Sequence, residues 1–177
     1  MSDSSLEQTK SQDPVDTGTA EAGELYIEAK RQGLATPLFG ETTLLSQKVV
    51  ELAGAAANGV RGHVGLSADA PIPAIQEFTA KFSQRYGYRP DHNGIKGYTA
   101  VYLVKYVTEK IGKFDRKAFG ATMKGLTLTP AAAPGILMEA SWDQNGDIDR
   151  ASFLAEIIDG KQKIVETLPK LKSSKTD

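Results

Sequence analysis

The sequence predicts an α/β fold in which alternating helices and strands come first and a β-meander follows. Apolar residues recur every three or four positions across residues 75–86, which is typical of a helix with one buried face. Apolar residues alternate with other residues across residues 60–66, which is typical of a strand. Beyond Pro134 the spacing is that of strands, and the pairs Asn145-Gly146 and Asp159-Gly160 predict tight turns between them.

The length and charge of the chain limit the classes of function. The chain has 177 residues, with 21 Lys and Arg residues against 22 Asp and Glu residues, so its formal charge is −1. That length fits one domain, or a piece of a larger one. A nearly neutral chain lacks the basic excess of proteins that coat nucleic acid, so we expect no nucleic-acid partner. Since no stretch approaches about 20 apolar residues, we expect no membrane span.

Both ends of the chain are polar. Residues 1–22 have Leu6 and Val15 as their only large aliphatic side chains, so we expect a disordered tail. Residues 169–177 are rich in Lys and Ser, and we expect them to fray. The folded domain is therefore predicted to span residues 23–168. The N-terminus has no basic start followed by an apolar run, so the sequence predicts no secretory signal.

The first part of the domain alternates helix and strand. A helix is predicted over residues 23–32, with Gly33 suited to its C-terminal end. Residues 37–40 are apolar and predict a short buried strand, followed by a loop at residues 41–43. A second helix ends between residues 54 and 59, and its apolar face comprises Leu45, Val49, Leu52 and Ala56.

The middle of the chain is predicted to be helical. Residues 67–73 contain two prolines and predict an extended segment. A third helix over residues 75–86 follows and ends at Gly87. A fourth helix spans about residues 97–110, and a short fifth helix has Asp115 as its N-cap. The predicted inner face of the fourth helix comprises Ala100, Val101, Val104, Val107 and Ile111.

Tyr98, Tyr102 and Tyr106 form an oblique stripe on the fourth helix. The stripe could serve as a ligand shelf, but packing against neighbouring helices is the preferred interpretation. The aromatic face of residues 75–86 could likewise be a groove for a partner, and one face of the core is the preferred interpretation.

After Pro134 the chain is predicted to form antiparallel strands. Residues 136–142 and 151–158 are expected to pair as a hairpin around a turn at residues 143–146. The pair Asp159-Gly160 then turns the chain into a last strand over residues 162–167.

The sequence carries no complete catalytic or metal-binding motif. A calcium loop starting at Asp143 would need Gly at its sixth position and Glu at its twelfth, where the chain has Ile148 and Leu154. A hairpin turn is therefore the preferred interpretation of this acidic segment. The two histidines, His63 and His92, are far apart and belong to no zinc motif. We expect no enzymatic activity, no cofactor and no metal.

Three ordered stretches of the chain carry a resemblance to a known family. The first is RQGLATPLFG at residues 31–40, followed by VELAG at residues 50–54. The second is NGV at residues 58–60, FSQRYGYRPD at residues 82–91 and GYTAVYL at residues 97–103. The third is WDQNGD at residues 142–147. Together they resemble the C-terminal half of the leucine/isoleucine/valine-type (branched-chain amino acid) substrate-binding proteins of bacterial ABC importers, over about residues 23–168.

The resemblance implies a partial type I periplasmic-binding-protein fold, in which crossover segments join two α/β lobes and an amino acid is held in the cleft. Residues 67–73 would form such a crossover. The implied function is that of a solute-binding component of an ABC importer, which captures a branched-chain or related amino acid or amide and docks on permease subunits. The family location is the periplasm, whereas the missing signal would retain the chain in the cytoplasm.

The resemblance also implies a ligand-binding loop. In the family, the loop after the strand matched by residues 37–40 supplies an acidic partner for the ligand ammonium. Here Thr42 occupies the expected position and Glu41 stands one position earlier, so either residue is a candidate, and Thr43 lies beside them. A solvated loop charge is the alternative interpretation of Glu41.

Asp91, His92 and Asn93 precede the fourth helix and are candidates for residues close to the cleft. Capping of that helix is the alternative interpretation.

The first-lobe half of the family fold is missing from this sequence. A chain without it would expose strand edges and apolar helix faces, so it would need a complementary N-terminal lobe or self-association. The alternative function is therefore a truncated remnant that acts as a protein-interaction or regulatory module without ligand binding of its own.

Overall fold

The computed structural model describes residues 17–171 of the chain. Its helices are α1 (Thr17–Arg31), α2 (Gln47–Ala53), α3 (Pro73–Tyr86), α4 (His92–Ile111) and α5 (Arg116–Met123), with 3₁₀ turns at Thr42–Leu45 and Gly54–Ala57. Its strands are β1 (Phe39–Glu41), β2 (Arg61–Val64), β3 (Thr127–Leu128), β4 (Ala140–Trp142), β5 (Ile148–Asp149), β6 (Ser152–Ile158) and β7 (Lys161–Leu168).

The strands form two sheets, which together with the helices confirm the predicted α/β class. The large sheet has the order β1-β2-β6-β7, with β1 and β2 parallel and the other pairs antiparallel. The small sheet has the order β3-β4-β5 and is antiparallel throughout.

The predicted hairpin between residues 136–142 and residues 151–158 is wrong. Strand β4 pairs with β5 around the turn at residues 143–147, whereas β6 pairs with β2 and β7 in the large sheet. The turn at Asp159 and Gly160 joins β6 to β7 as predicted, with φ angles of 51° and 69°. Local spacing identified the turns but not the strand partners, because the partner β2 lies far away in the sequence.

Two clusters of buried side chains stabilise the molecule. The first covers the large sheet and reaches the first turns of α3 and α4; it includes Tyr26, Val49, Val64, Ile75, Ile95 and Phe153. The second lies between α4, α5 and the small sheet; it includes Val107, Leu126, Leu128, Ala133 and Ile136. Helix α4 thus contributes to both cores, through Ile95 in the first and Val107 in the second.

The chain passes between these two parts three times. It leaves the large sheet after β2 through residues 65–72, which include the predicted crossover except for Pro73, the first residue of α3. It returns through Arg150 and Ala151, between β5 and β6. The third passage follows β7, where Lys170 Nζ donates to Glu139 Oε1 at 2.7 Å.

Lys170 and Leu171 make hydrogen bonds to the small sheet, although the segment is predicted to fray from residue 169 onward. Lys170 Nζ also donates to Ser141 Oγ at 2.6 Å, and the Leu171 N–H donates to Asp149 Oδ1 at 3.0 Å. These contacts tie the segment to the small sheet. The rest of the predicted C-terminal tail, residues 172–177, lies outside the described residues.

The first helix begins at Thr17, not at residue 23, so residues 17–22 are not part of a tail. Ala22 and Tyr26 are buried in the first core, which explains why the helix extends over this polar segment. The helix ends as predicted, with Gly33 at a φ of 72°. Residues 1–16 lie outside the described residues.

Strand β1 is an edge strand and not the buried strand that was predicted. Among residues 17–171 it pairs with β2 alone, and Phe39 is 66% exposed. The apolar run at residues 37–40 therefore does not indicate a buried strand, because an edge strand is paired on one side and open on the other.

The predicted second helix is divided into three pieces. Glu41 ends β1, and the residues after it form the 3₁₀ turn Thr42–Leu45 instead of a loop. Ser46 then caps α2 by accepting a hydrogen bond from the Val49 N–H at 3.4 Å. The helix ends at Gly54, whose φ of 56° favours glycine.

The inner face predicted for α4 is wrong over its first turns. Ala100, Val101 and Val104 are exposed, and only Val107 of the predicted residues is fully buried. The side of α4 that packs on the two cores instead carries Ile95, Tyr98 and Tyr106. A pattern of aliphatic residues alone cannot distinguish this side from the exposed one.

The predicted end of α3 and the predicted start of α5 are confirmed, whereas α4 begins at His92 and not near residue 97, because Asp91 caps it. Gly87 ends α3 with a φ of 75°. Asp115 caps α5 by accepting a hydrogen bond from the Ala118 N–H at 2.9 Å. That hydrogen bond, followed by a further one from Lys113, lowers the pKa of the Asp115 carboxyl.

Gly62 allows the 3₁₀ turn to lie directly on the large sheet. A Cβ atom at this position would overlap Leu45 Cδ1 and would lie 2.6 Å from the carbonyl oxygen of Gly40. Since backbone cannot yield as a flexible side chain can, only glycine fits here.

We predict that Gly62→Ala destabilises the protein by about 1–3 kcal/mol, the usual cost of overpacking a core. Gly120→Ala is the matched control, since no atom lies within 4 Å of its Cβ position in α5. We expect this control to be neutral or to stabilise by up to about 1 kcal/mol. Urea unfolding of the three proteins measures both effects, and equal stabilities would contradict the close approach at Gly62.

Candidate functional site

A groove of about 800 Å³ lies where the first passage out of the large sheet meets the start of α4. Its walls come from the 3₁₀ turn after β1, the start of α2, the segment before α4 and the start of β7. Its size is within the range of about 300–1,000 Å³ that is typical of small-molecule sites. The groove brings together residues that are far apart in the sequence.

Thr42 lines this groove, whereas Glu41 and Thr43 are not among its lining residues. The Thr42 hydroxyl donates to the His63 carbonyl at 3.5 Å, a long hydrogen bond that leaves it available to a ligand. The Glu41 carboxylate accepts from the Thr43 N–H at 2.9 Å and caps the 3₁₀ turn. Of the two alternatives for the ligand-binding position, Thr42 is therefore the one in the groove.

Asp91 and His92 also line the groove, and Asn93 is exposed outside its lining. Asp91 Oδ1 accepts from the Gly94 N–H at 2.8 Å, so Asp91 does cap α4. Its position at the groove and its capping role are compatible, because a carboxylate has a second oxygen.

The floor of the groove is a short chain of hydrogen bonds. Ser67 Oγ donates to Gln162 Oε1 at 3.0 Å, and Gln162 Nε2 donates to the Leu45 carbonyl at 3.2 Å. The Asp69 N–H donates to Ser67 Oγ at 3.1 Å, and Ser67 is buried. These bonds hold the first passage against β7 and the 3₁₀ turn. Ser67 and Gln162 were not predicted as site residues, since no local sequence pattern pairs residues so far apart.

Arg89 fixes the other wall. Its guanidinium donates to Asp69 Oδ1 at 2.6 Å and to the Ala68 carbonyl at 3.1 Å. The half-exposed pair joins the first passage to the segment that starts α4. Arg89 was not predicted as a site residue either, although it lies two residues before Asp91, the N-cap of α4.

The groove carries an excess of positive charge. Four basic side chains line it against two acidic ones: Lys48, Arg89, Lys161 and Lys163 against Asp69 and Asp91. The N-terminus of α4 adds the positive end of its helix dipole. Such an arrangement is suited to a small ligand that has a carboxylate, and it retains acidic groups for an ammonium.

Tyr26 positions the 3₁₀ turn that carries Thr42. Its hydroxyl donates to the Leu44 carbonyl at 3.0 Å, which links α1 to the turn. Burial, and then the nearby charge of Glu41, raises the pKa of Tyr26.

A second cavity of about 630 Å³ runs between α3 and α4 and is lined by aromatic side chains. The ring of Phe78 lies 4.6 Å from that of Tyr98, and Tyr98 lies 4.8 Å from Tyr102. The ring of Tyr102 fills the space where a Cβ atom of Gly135 would stand. Tyr106 packs on the second core, so the tyrosine stripe serves packing, as predicted.

The acidic segment after β4 forms a hairpin turn, as predicted. Asp143 Oδ1 accepts from the N–H groups of Asn145 and Asp147 at 2.8 and 2.9 Å, and Gly146 has a φ of 91°. Within residues 17–171, no group of three or more His, Cys, Asp or Glu side chains is placed to hold a metal ion. Over the same residues, no helix has the length and apolar character needed to cross a membrane.

The chain belongs to the periplasmic binding protein family, whose model matches residues 17–162. This is a family of solute-binding proteins, which are generally not enzymes. A comparison with curated proteins finds no match.

Solved structures of ABC-transporter substrate-binding proteins have the same fold. The leucine-binding protein LivK of Thermotoga maritima is 17% identical, with a TM-score of 0.73 over 85% of this chain and 42% of its own. A solute-binding protein of Rhodopseudomonas palustris, solved with 3,4-dihydroxybenzoic acid, is 24% identical, with a TM-score of 0.65 over 84% of this chain and 42% of its own. LivJ of Streptococcus pneumoniae, solved with isoleucine, is 18% identical, with a TM-score of 0.65 over 86% of this chain and 42% of its own.

These likenesses confirm the partial type I periplasmic-binding-protein fold. The chain spans about 42% of the length of each of these three structures. At such identities the comparison establishes the shared fold, and function has to be argued from the site.

We predict that Tyr26→Phe lowers the free energy of unfolding by about 0.5–1.5 kcal/mol below pH 10, the net contribution of one hydrogen bond. Because folding raises the pKa of Tyr26, the native state favours the neutral phenol, and this contribution is lost as the pH rises through the raised pKa. The difference between the two proteins should therefore shrink above pH 10. Urea unfolding at pH 8 and at pH 11 tests this, and a difference that grows with pH would contradict it.

Proposed function

We propose that this chain is the C-terminal portion of the solute-binding component of an ABC importer, and that it captures a small carboxylate such as an amino acid. The observation that carries the proposal is the groove that joins Thr42 to the start of α4 and has a cationic rim. The family membership supports the same class of function. The groove provides one wall of the binding cleft.

The ligand carboxylate is assigned to the cationic side of the groove. Lys161 and Lys163 line the groove from β7, and His92, the first residue of α4, lines it as well. A charge-assisted hydrogen bond to a carboxylate is stronger than a neutral one, so these groups provide most of the affinity. The Thr42 hydroxyl supplies a neutral hydrogen bond in the same groove.

The ligand ammonium, where present, is assigned to the acidic side of the groove. Asp91 has one carboxylate oxygen engaged with Gly94, which leaves the other for an ammonium. Asp69 is paired with Arg89 and would contribute through the same network. Glu41 is assigned to capping, and Thr43 and Asn93 are assigned no ligand contact.

The ligand class follows from what the solved relatives share. LivJ of Streptococcus pneumoniae was solved with isoleucine and the Rhodopseudomonas palustris protein with 3,4-dihydroxybenzoic acid. Both compounds carry a carboxylate, and only one carries an ammonium. A site with cationic excess and two acidic groups is suited to either. Delivery to permease subunits and a periplasmic location are part of the same proposal.

We predict that isoleucine or 3,4-dihydroxybenzoate shifts the amide NMR signals of the groove in the 177-residue chain. Thr42→Val should weaken binding about two- to twelvefold, since losing one hydrogen bond costs about 0.5–1.5 kcal/mol. Lys117→Gln on α5 is the control and should bind as the unaltered chain does, because Lys117 is exposed outside the groove.

Isoleucinamide, which lacks the carboxylate, separates the two ligand groups. We expect it to bind at least about tenfold more weakly than isoleucine, because a hydrogen-bonded charge contributes about 1.5–3 kcal/mol. A folded chain whose groove signals respond to neither carboxylate would contradict ligand binding by this chain. Equal binding of isoleucine and its amide would contradict the assigned carboxylate contacts.

A further inference from the structure

The cavity between α3 and α4 has a wall of aromatic rings and is separate from the candidate ligand groove. Its volume of about 630 Å³ is within the range of about 300–1,000 Å³ that is typical of small-molecule sites. It has no lining residue in common with the groove. We call it the aromatic cavity, after the four rings that line it: Phe78, Phe82, Tyr86 and Tyr98.

The rings form a continuous series along the aromatic cavity. The centre of the Phe78 ring lies 4.6 Å from that of Tyr98 and 5.7 Å from that of Phe82. The centre of the Phe82 ring lies 4.6 Å from that of Tyr86. Phe78, Phe82 and Tyr98 are only half-buried, and Tyr86 is 53% exposed, so ring surface remains open. A planar aromatic ligand can pack on such rings in the offset or edge-to-face arrangements that aromatic groups prefer.

Small and aliphatic residues complete the lining. Ala74 lies in the first turn of α3, and Pro134 and Leu137 come from the segment before β4. Leu137 is buried in the first core, which gives the aromatic cavity a fixed boundary. None of these three side chains carries a charge or can form a hydrogen bond, so the recognition of a charged group is left to the charged residues of α3.

Three charged side chains of α3 border the aromatic cavity, and their sum is positive. The Lys81 Nζ donates to Glu77 Oε1 at 2.5 Å, so these two charges offset each other. The Arg85 guanidinium lies 5.5 Å from the centre of the Tyr86 ring and forms no ion pair with another residue of the described part of the chain. Arg85 is therefore the cation that is available to a ligand.

These charges distinguish between ligand classes. Aromatic rings alone would suit a quaternary ammonium, but such a cation would meet the positive charges of Lys81 and Arg85. A neutral apolar molecule would make no use of the guanidinium. A carboxylate can accept two parallel hydrogen bonds from a guanidinium, which fixes its orientation as well as its affinity. A planar aromatic acid thus matches both the rings and the charge.

We propose that the aromatic cavity is a second binding site, which takes a small planar aromatic carboxylate. Arg85 binds the carboxylate, and the rings of Phe82 and Tyr86 contact the ring of the ligand. Tyr98 lines the site while it packs against the first core. The proposal does not depend on ligand binding by the groove, because the two sites share no lining residue.

Nuclear magnetic resonance of the 177-residue chain tests the proposal with 2-naphthoate as the probe. We expect nuclear Overhauser effects between the probe and the ring protons of Phe82 and Tyr86. 2-Naphthamide keeps the aromatic rings without the charge and should bind here at least about tenfold more weakly. Decahydronaphthalene-2-carboxylate keeps the charge without the aromatic rings and should bind about threefold or more weakly, because aromatic pairs add to the effect of buried area.

Two variants with matched controls provide the second readout. Arg85→Gln should weaken 2-naphthoate binding at least about tenfold and remove its advantage over 2-naphthamide. Arg116→Gln makes the same change at an exposed position of α5 outside the aromatic cavity and should leave binding unchanged. Phe82→Leu should weaken binding about threefold or more, whereas Phe114→Leu, at an exposed position outside the aromatic cavity, should have no effect. Circular dichroism shows whether all four variants are folded.

Several results would overturn the proposal. Equal binding of 2-naphthoate and 2-naphthamide at the Phe82 and Tyr86 rings would show that no carboxylate is recognised there. Overhauser effects from the probe to Thr42 and none to these rings would place the probe in the groove alone. Ring signals that respond to protein concentration and not to the probe would show that a second copy of the chain occupies the aromatic cavity. A folded chain without any response would show that the aromatic cavity binds no aromatic acid.

Discussion

The antiparallel pairing of β2 with β6 is the constraint on which the rest of the structure depends. It places Val64 opposite Phe153. The segment that contains α3, α4, α5 and the small sheet therefore begins and ends on neighbouring strands. Val64 and Phe153 are both fully buried in the first core. Because the pairing closes a loop of many residues, its entropic cost has to be offset by burial at this point. The Ser67–Gln162 hydrogen bond then holds the outgoing passage against β7.

The candidate site is a direct result of that closure. Thr42 follows the edge strand β1, and His92 is the first residue of α4. They line the same groove because residues 65–72 bend between them. Arg89 and Asp69 hold that bend with a 2.6 Å contact. The basic side chains then come from elements on opposite sides of the groove, so their positions depend on the relative placement of the two cores. A hinge between two packed parts is the usual way in which such a cleft opens and closes.

The sequence predicted what is encoded locally. Turn and cap residues such as Gly33, Gly87, Asp115 and Asp159 were identified correctly, because their conformations depend on their own side chains and near neighbours. The sequence predicted some residues of the candidate site. Thr42, Asp91 and His92 line the groove, whereas Glu41 caps the 3₁₀ turn. The partner of β6, the edge position of β1 and the roles of Ser67, Arg89 and Gln162 depend on contacts between distant residues. Ala100, Val101 and Val104 of α4 are exposed although the sequence predicts them to be buried, because a helix pattern shows which side is apolar and not whether anything covers it.

The distance between the two walls of the groove tests the central claim most directly. The chain has no cysteine, so single cysteines at Gln47 on α2 and Asn93 on α4 can carry spin labels without other changes. Pulsed electron paramagnetic resonance then measures the distribution of distances between them with and without isoleucine or 3,4-dihydroxybenzoate. If the groove holds a carboxylate between these walls, the distribution should narrow and move to a shorter distance when the ligand is added. A distribution that stays the same at saturating concentrations of both compounds would contradict the account.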